Sequence, residues 1–166
     1  MKKGITLFLL LLIVSSLLAQ DKKFALDWTT DGILIGSGIL VNTASFLLED
    51  KTVYAQPYTL SYNAINTFDR WSAFPYSKPA DISSDVLQYV SFLLPAVLFS
   101  TDKEQWLTIG VMYAEAAVLS FGLKNTGKAL INRYRPYNYF EGAPVVEDND
   151  FIKSYPSGHT TMAFTG

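Results

Sequence analysis

The chain contains no cysteine and a single histidine, His159, among its 166 residues. Without cysteine it can form no disulfide, use no thiolate nucleophile and carry no lipid anchor on a cysteine. Its 13 Lys and Arg residues are fewer than its 15 Asp and Glu residues, and the formal net charge is −2. Because nucleic-acid-binding proteins carry an excess of basic residues, we expect no nucleic-acid partner.

Apolar residues make up 49% of the chain and are concentrated in long runs. At the N-terminus, Lys2 and Lys3 precede an apolar run and then the small residues that end near Ala19. This order is typical of a secretory signal peptide, and an uncleaved anchor helix is the alternative. We therefore assign residues 1–20 to a signal peptide or N-terminal anchor of an exported or membrane-inserted protein.

Three further apolar stretches occupy residues 32–48, 86–100 and 106–123. As helices rising about 1.5 Å per residue they would be roughly 22 to 27 Å long, a little short of a hydrocarbon core of about 30 Å. They are borderline membrane spans, and buried helices of a soluble bundle are the alternative. Strand patterns are weak, so the predicted fold class is all-α, a membrane-associated helical bundle.

The connection between the first two apolar stretches is rich in aromatic residues. Trp71, Phe74 and Tyr76 lie beside Arg70 and Lys78. Aromatic and cationic side chains together suit the interface between lipid headgroups and water, while an ordinary packed loop would account for them equally well.

Two cations follow the third apolar stretch. Lys128 and Arg135 are seven residues apart, and Pro136 comes next. If the helix continues to this proline, both cations lie on one helix face, two turns apart. An arginine fork and a lysine point charge can together hold a tetrahedral oxyanion. Cations near a helix end also complement the helix dipole, so this pair alone leaves a structural role open.

The histidine lies in the sequence YPSGHTT, residues 155–161. Ser157 is a good N-cap, and Gly158 allows a ligand to approach the backbone closely. His159 would then lie in the first turn of a helix whose free amide groups favour bound phosphate. A histidine beside phosphate can protonate a departing alkoxide near neutral pH, although a capping turn with an incidental histidine is the alternative.

Together, Lys-x6-Arg-Pro and Pro-Ser-Gly-His resemble the first two signature motifs of the type 2 phosphatidic acid phosphatase superfamily. This superfamily also contains class A bacterial acid phosphatases and vanadium haloperoxidases. The resemblance is specific for residues 128–159 and only general over the preceding helices. It implies no metal or cofactor, a catalytic acid at His159, and a phosphate-binding set of Lys128, Arg135, Ser157 and Gly158.

The third motif of this superfamily, Ser-Arg-x5-His-x3-Asp, does not occur in the sequence, which ends at Gly166. In the family, the histidine of that motif attacks phosphorus and forms a phosphohistidine. Since His159 is the only histidine, we expect residues 21–166 to be the N-terminal part of a phosphatase domain and the bundle to be incomplete. We also expect this chain to be inactive by itself.

The resemblance implies hydrolysis of a phosphomonoester or diphosphate, with a phosphorylated lipid or another phosphoester as substrate. It also implies a membrane in a bacterial-type cell envelope, with the site facing the periplasm or exterior. The alternatives are a soluble exported acid phosphatase, a relative of the vanadium haloperoxidases, and a membrane helical bundle without enzymatic activity. Neither the individual substrate nor the oligomeric state is predicted.

Three acidic features carry weaker expectations. Glu115 lies inside the third apolar stretch, where a structural hydrogen bond or ion pair is favoured over a functional role. The acidic segment 147–150 lacks the spacing of a calcium loop and is interpreted as a solvated loop over the site entrance. Asp69 and Arg70 form either a surface ion pair with each other or a contact with substrate.

Overall fold

The structure is a computed structural model that describes residues 25–57, 59–100 and 103–166. The segment assigned to a signal peptide or anchor, residues 1–20, lies outside the described residues. Within them, the only β-pairing is an isolated bridge between Arg133 and Lys153, which confirms the prediction of an all-α fold. The described residues form four α-helices, α1 (Trp28–Leu48), α2 (Lys78–Leu93), α3 (Trp106–Leu130) and α4 (Gly158–Thr165).

Each of the three predicted apolar stretches lies in a helix that begins earlier or ends later than its apolar run. α1 begins at Trp28 because the carboxylate of Asp27 accepts hydrogen bonds from the first free amides of the helix. α2 begins with Pro79 in its first turn, where proline is tolerated, and continues as a 3-10 helix through Leu94–Ser100. The segments Trp28–Leu48, Lys78–Ser100 and Lys103–Leu130 are long and apolar enough to cross a membrane.

Helices α1 and α3 pack closely through small residues. A Cβ atom added to Gly38 would lie 2.6 Å from Val118 Cγ1, so only glycine allows this approach. Asn42 donates a hydrogen bond to the Val118 carbonyl at 2.8 Å, and Asn125 donates to Asn42 at 3.5 Å. Residues later in α1 contact residues later in α3, so the two helices run parallel.

Helix α2 runs antiparallel to α3. Tyr113 of α3 donates a hydrogen bond to the carbonyl of Phe92, and Phe99 packs edge-on against Trp106 at the start of α3. The N-terminus of α2 therefore lies beside the C-termini of α1 and α3. We call this the loop end of the bundle, because it also carries the connections 49–77 and 131–157.

Two carboxyl groups are buried between α1 and α3, away from the loop end. Glu115 of α3 and Asp31 of α1 lie close together, and both residues are buried. The neighbour of Glu115 is thus a second acid. Within the described residues neither acid forms an ion pair, and each has one buried oxygen without a hydrogen bond.

Candidate functional site

The segment after α3 differs from the prediction. The helix ends at Leu130, and Ile131 is extended with φ −117° and ψ 99°, so Lys128 and Arg135 do not share a helix face. Pro136 disfavours helical backbone at Arg135, which has φ −69° and ψ 145°. The amide of Arg135 instead donates to the carbonyl of Phe151 at 2.8 Å. Pairing with a distant segment therefore replaces the predicted helix over residues 131–135.

Arg135 is held in place by the acidic segment that follows it. Its Nε donates to the Asp150 carbonyl at 2.9 Å, and its Nη2 forms an ion pair with the Asp150 carboxylate. Asn138 is fully buried and donates to the carbonyls of Arg135 at 3.1 Å and Phe151 at 3.2 Å. The predicted acidic loop thus orients one of the predicted phosphate-binding residues.

The predicted helix start at residues 157–159 is confirmed. Ser157 has extended backbone angles and its Oγ accepts a hydrogen bond from the Thr160 amide at 3.3 Å, so α4 begins at Gly158. The preceding Pro156 packs directly on α3, since a Cβ atom on Gly127 would lie 2.5 Å from Pro156 Cδ. This contact fixes the start of α4 against the last turn of α3.

Both motifs line one pocket of about 210 Å³ at the loop end, which we call the basic pocket. A Cβ atom on Gly158 would lie 3.9 Å from Lys128 Nζ, so the lysine head reaches the start of α4. All five residues of the predicted site belong to the lining. The full lining is Gln88, Lys128, Arg135, Lys153, Ser154, Ser157, Gly158, His159 and Met162.

Most of the cations around the basic pocket already have a carboxylate partner. The ion pairs join Arg135 to Asp150 and Lys153 to Glu49, and the His159 ring hydrogen-bonds Asp85. Lys128 is half-buried and takes part in no ion pair within the described residues. Because a partly buried cation gains most from an incoming anion when it has no counter-ion, Lys128 makes the pocket suitable for an oxyanion.

His159 is bound on one side only. Its Nε2 lies 2.8 Å from Asp85 Oδ1, and Gln88 Nε2 donates to the same oxygen at 3.4 Å. In the described part of the chain, Nδ1 of His159 makes no hydrogen bond. The ring therefore has one nitrogen occupied by a carboxylate and one free to meet a ligand.

Two charged residues at this site were not found from the sequence. Asp85 precedes His159 by 74 residues, and Lys153 precedes it by six without a recognisable spacing. The polar residues in the first half of α2 were the sequence feature that could have pointed to Asp85. They do not distinguish Asp85 from Asp81. Lys153 adds a third cation to the pocket lining.

Next to Arg135, the Tyr137 hydroxyl is buried and has no hydrogen-bond partner within the described residues. Burial raises the pKa of the Tyr137 phenol above its ordinary value. The group therefore stays protonated at neutral pH, and it remains a hydrogen-bond donor without an acceptor.

The pair Asp69 and Arg70 was predicted either to pair with each other or to contact substrate. Asp69 instead forms an ion pair with Arg133 at 2.9 Å. Arg70 donates to the carbonyls of Ile65 at 3.1 Å and Asn63 at 3.0 Å. Neither residue lines the basic pocket, so both stabilise the loop end.

Comparison of the chain with protein-family models, with curated proteins and with solved structures found no match. The resemblance to the type 2 phosphatidic acid phosphatases therefore depends on the residues of the two motifs and on the pocket that they line.

Proposed function

We propose that the chain forms the phosphate-binding part of a metal-independent phosphatase of the type 2 phosphatidic acid phosphatase kind. One observation supports this above the others. Five residues from two motifs, which were selected from the sequence for phosphate chemistry, line the same 210 Å³ pocket. Their shared location requires the turn after α3 and the start of α4 to meet, which their spacing in sequence does not guarantee.

In this proposal the phosphate lies between α3 and the start of α4. Lys128 supplies a charge without a counter-ion, and Arg135 supplies a guanidinium that Asp150 keeps oriented. The hydroxyl of Ser157 and the free amides at the start of α4, beginning with Gly158, complete the cradle. The positive end of the α4 dipole adds to the attraction for an anion.

The proposed reaction needs an acid and a nucleophile. His159 donates its proton to the leaving oxygen as the bond from phosphorus to that oxygen breaks. The resemblance assigns the attack on phosphorus to a second histidine, which forms a phosphohistidine in members of that superfamily. The 166 residues contain one histidine, so we expect this chain to bind phosphate without turning over a phosphoester.

The apolar helices favour a lipid substrate. Because the basic pocket lies at the loop end of three helices long enough to cross a membrane, it would lie at the level of the headgroups. Trp71 and Phe74, in the connection at the same end, are 76% and 67% exposed, as aromatic residues at a membrane interface would be. We therefore propose a phosphorylated lipid, in a cell envelope, with the pocket facing the periplasm or exterior.

Phosphate binding by the purified chain in detergent tests the proposal. Inorganic phosphate should shift the ring signals of His159 in a saturable manner, and vanadate should compete for the same site. Lys128→Met removes a charge-assisted contact worth about 1.5 to 3 kcal/mol, so the affinity should fall at least about tenfold. Lys103→Met removes the same charge at the opposite end of α3 and is the matched control, expected within about twofold of the wild type.

Equal affinities in the Lys128→Met and Lys103→Met variants would refute the proposed cradle. A chain that binds anionic vesicles but shows no saturable phosphate binding would support the non-enzymatic membrane bundle instead.

A further inference from the structure

The contact between Asp85 and His159 joins two helices that are far apart in sequence. Asp85 lies on α2, and its Oδ1 is 2.8 Å from Nε2 of His159 in the first turn of α4. The packing of α2 against α4 brings the two side chains together. The resemblance to known phosphatases assigns no role to Asp85, because it lies outside both motifs.

Asp85 is itself held by a buried neighbour. Gln88, on the next turn of α2, is only 9% exposed and donates to the same Oδ1 at 3.4 Å. This contact favours the orientation in which Oδ1 faces both Gln88 and His159. The ring of His159 therefore meets an acceptor that a buried residue of the bundle also contacts.

Stability alone does not explain this ion pair. The side chains of His159 and Asp85 are 38% and 52% exposed, and pairs with this exposure typically contribute little to the free energy of unfolding. The contact nevertheless determines which ring nitrogen carries a proton and which way the ring points. These are properties that matter to a proton donor and not to a surface ion pair.

We infer that Asp85 is the positioning residue for His159, fixing a proton on Nε2 and leaving Nδ1 as the nitrogen that meets the ligand. The catalytic meaning of this inference rests on the proposed function. In the reactive state both nitrogens are protonated. The Nδ1 proton passes to the leaving oxygen, the electron pair of that N–H bond stays on Nδ1, and the neutral ring retains its proton on Nε2, bonded to Asp85.

The charges facing this pair come from three directions. From α2 there is Asp85 itself, from the last turn of α3 there is Lys128, and from the segments between α3 and α4 there are Arg135 and Lys153. The last two are paired with other carboxylates. Asp85 is thus the single acid bonded to His159 within the described residues.

Since His159 is the only histidine, nitrogen-15 labelling of histidine gives signals from one ring in the full chain. Protonated and unprotonated ring nitrogens resonate far apart, so the spectrum of the neutral ring reports the ratio of its two tautomers. We expect the wild type to hold the proton on Nε2, with slow exchange of that proton with solvent. Asp85→Leu should raise the share of the Nδ1–H form about tenfold, which is the effect of losing one charge-assisted hydrogen bond.

Asp81→Leu is the matched control. Asp81 lies one turn earlier on α2 and accepts from Tyr76, so its loss removes the same charge without touching His159. We expect its tautomer ratio to stay within about twofold of the wild type.

Two results would overturn the inference. The first is a wild-type ring protonated mainly on Nδ1. The second is a tautomer ratio that Asp85→Leu changes no more than Asp81→Leu does. The first is read from the wild type and does not depend on how the variants fold. Neither measurement requires a ligand. Failure of the proposed function would instead appear as the absence of a phosphate-induced shift in a ring whose tautomer is already fixed.

Discussion

Gly127 is the position where a single methyl group should disturb the basic pocket most directly. An alanine Cβ there would lie 2.5 Å from Cδ and 2.8 Å from Cγ of Pro156, and ordinary contact begins at 3.4 Å. The proline ring is rigid, so the loop must withdraw from α3 by the difference, about 0.9 Å. Pro156 immediately precedes Ser157, and Lys128 immediately follows Gly127. The displacement therefore separates the two halves of the phosphate cradle.

Gly127→Ala should change both the free energy of unfolding and the affinity for phosphate. Overpacking lowers the free energy of unfolding by about 1 to 3 kcal/mol. The higher helix propensity of alanine than of glycine raises it by up to about 1 kcal/mol. The net destabilisation of Gly127→Ala is thus modest, about 0 to 2 kcal/mol. Phosphate affinity should fall about tenfold, because a withdrawal of this size weakens one charge-assisted contact across the pocket.

Phosphate titration of the labelled His159 ring in detergent, together with a thermal unfolding curve, measures both quantities. Gly110→Ala is the control, because it lies in the same helix with no atom within 4 Å of the added Cβ. It should keep the wild-type affinity and gain a little stability. If Gly127→Ala binds phosphate as Gly110→Ala does, the contact between α3 and Pro156 does not position the pocket.

Two other substitutions test the packing around the site. Gly38→Ala places a methyl group 2.6 Å from Val118 Cγ1 and should lower the free energy of unfolding by about 1 to 3 kcal/mol. Gly36→Ala has open space and should be neutral or stabilising, and equal thermal midpoints in detergent would contradict the close packing of α1 on α3. Asn138→Asp removes an amide that donates to two backbone carbonyls and puts a charge at a site with 0% exposure, at a cost of about 3 to 5 kcal/mol. The exposed Asn132→Asp should be nearly neutral, and a similar loss in both variants would show that Asn138 does not anchor the loop.

The sequence predicted best what is decided locally. Ser157 caps α4, and Gly158 begins it, because an N-cap and the amides it satisfies lie within three residues of each other. The apolar runs predicted the positions of α1, α2 and α3 for the same reason. Their ends were less accurate, since Asp27 and Pro79 start helices outside the apolar runs.

The errors and omissions arise where distant segments meet. The predicted helix to Pro136 is replaced by pairing of Arg135 with Phe151, a choice that no local preference determines. Asp85 could not be assigned to His159, because only the packing of α2 on α4 brings them together. The basic pocket itself was predicted through a family resemblance, which stands in for the long-range contacts that a single sequence does not contain.

The direction of the helices constrains where the pocket can face. If the three helices cross a membrane, their alternating directions place the loop end on the side opposite to the N-terminus of α1, which begins at Trp28. An exterior-facing pocket then requires Trp28 on the cytoplasmic side. A cleaved signal peptide is compatible with an exterior pocket if one apolar helix lies flat in the membrane, re-enters it, or packs in a soluble bundle.

The surface of α2 bears on the choice between a membrane arrangement and a soluble one. Leu87, Val90, Leu93 and Val97 are all more than half exposed, and Gln88 is the one buried residue of α2. An apolar surface of this extent is unfavourable in water and stable against lipid. The exposed apolar face of α2 is thus compatible with a membrane location of the three helices.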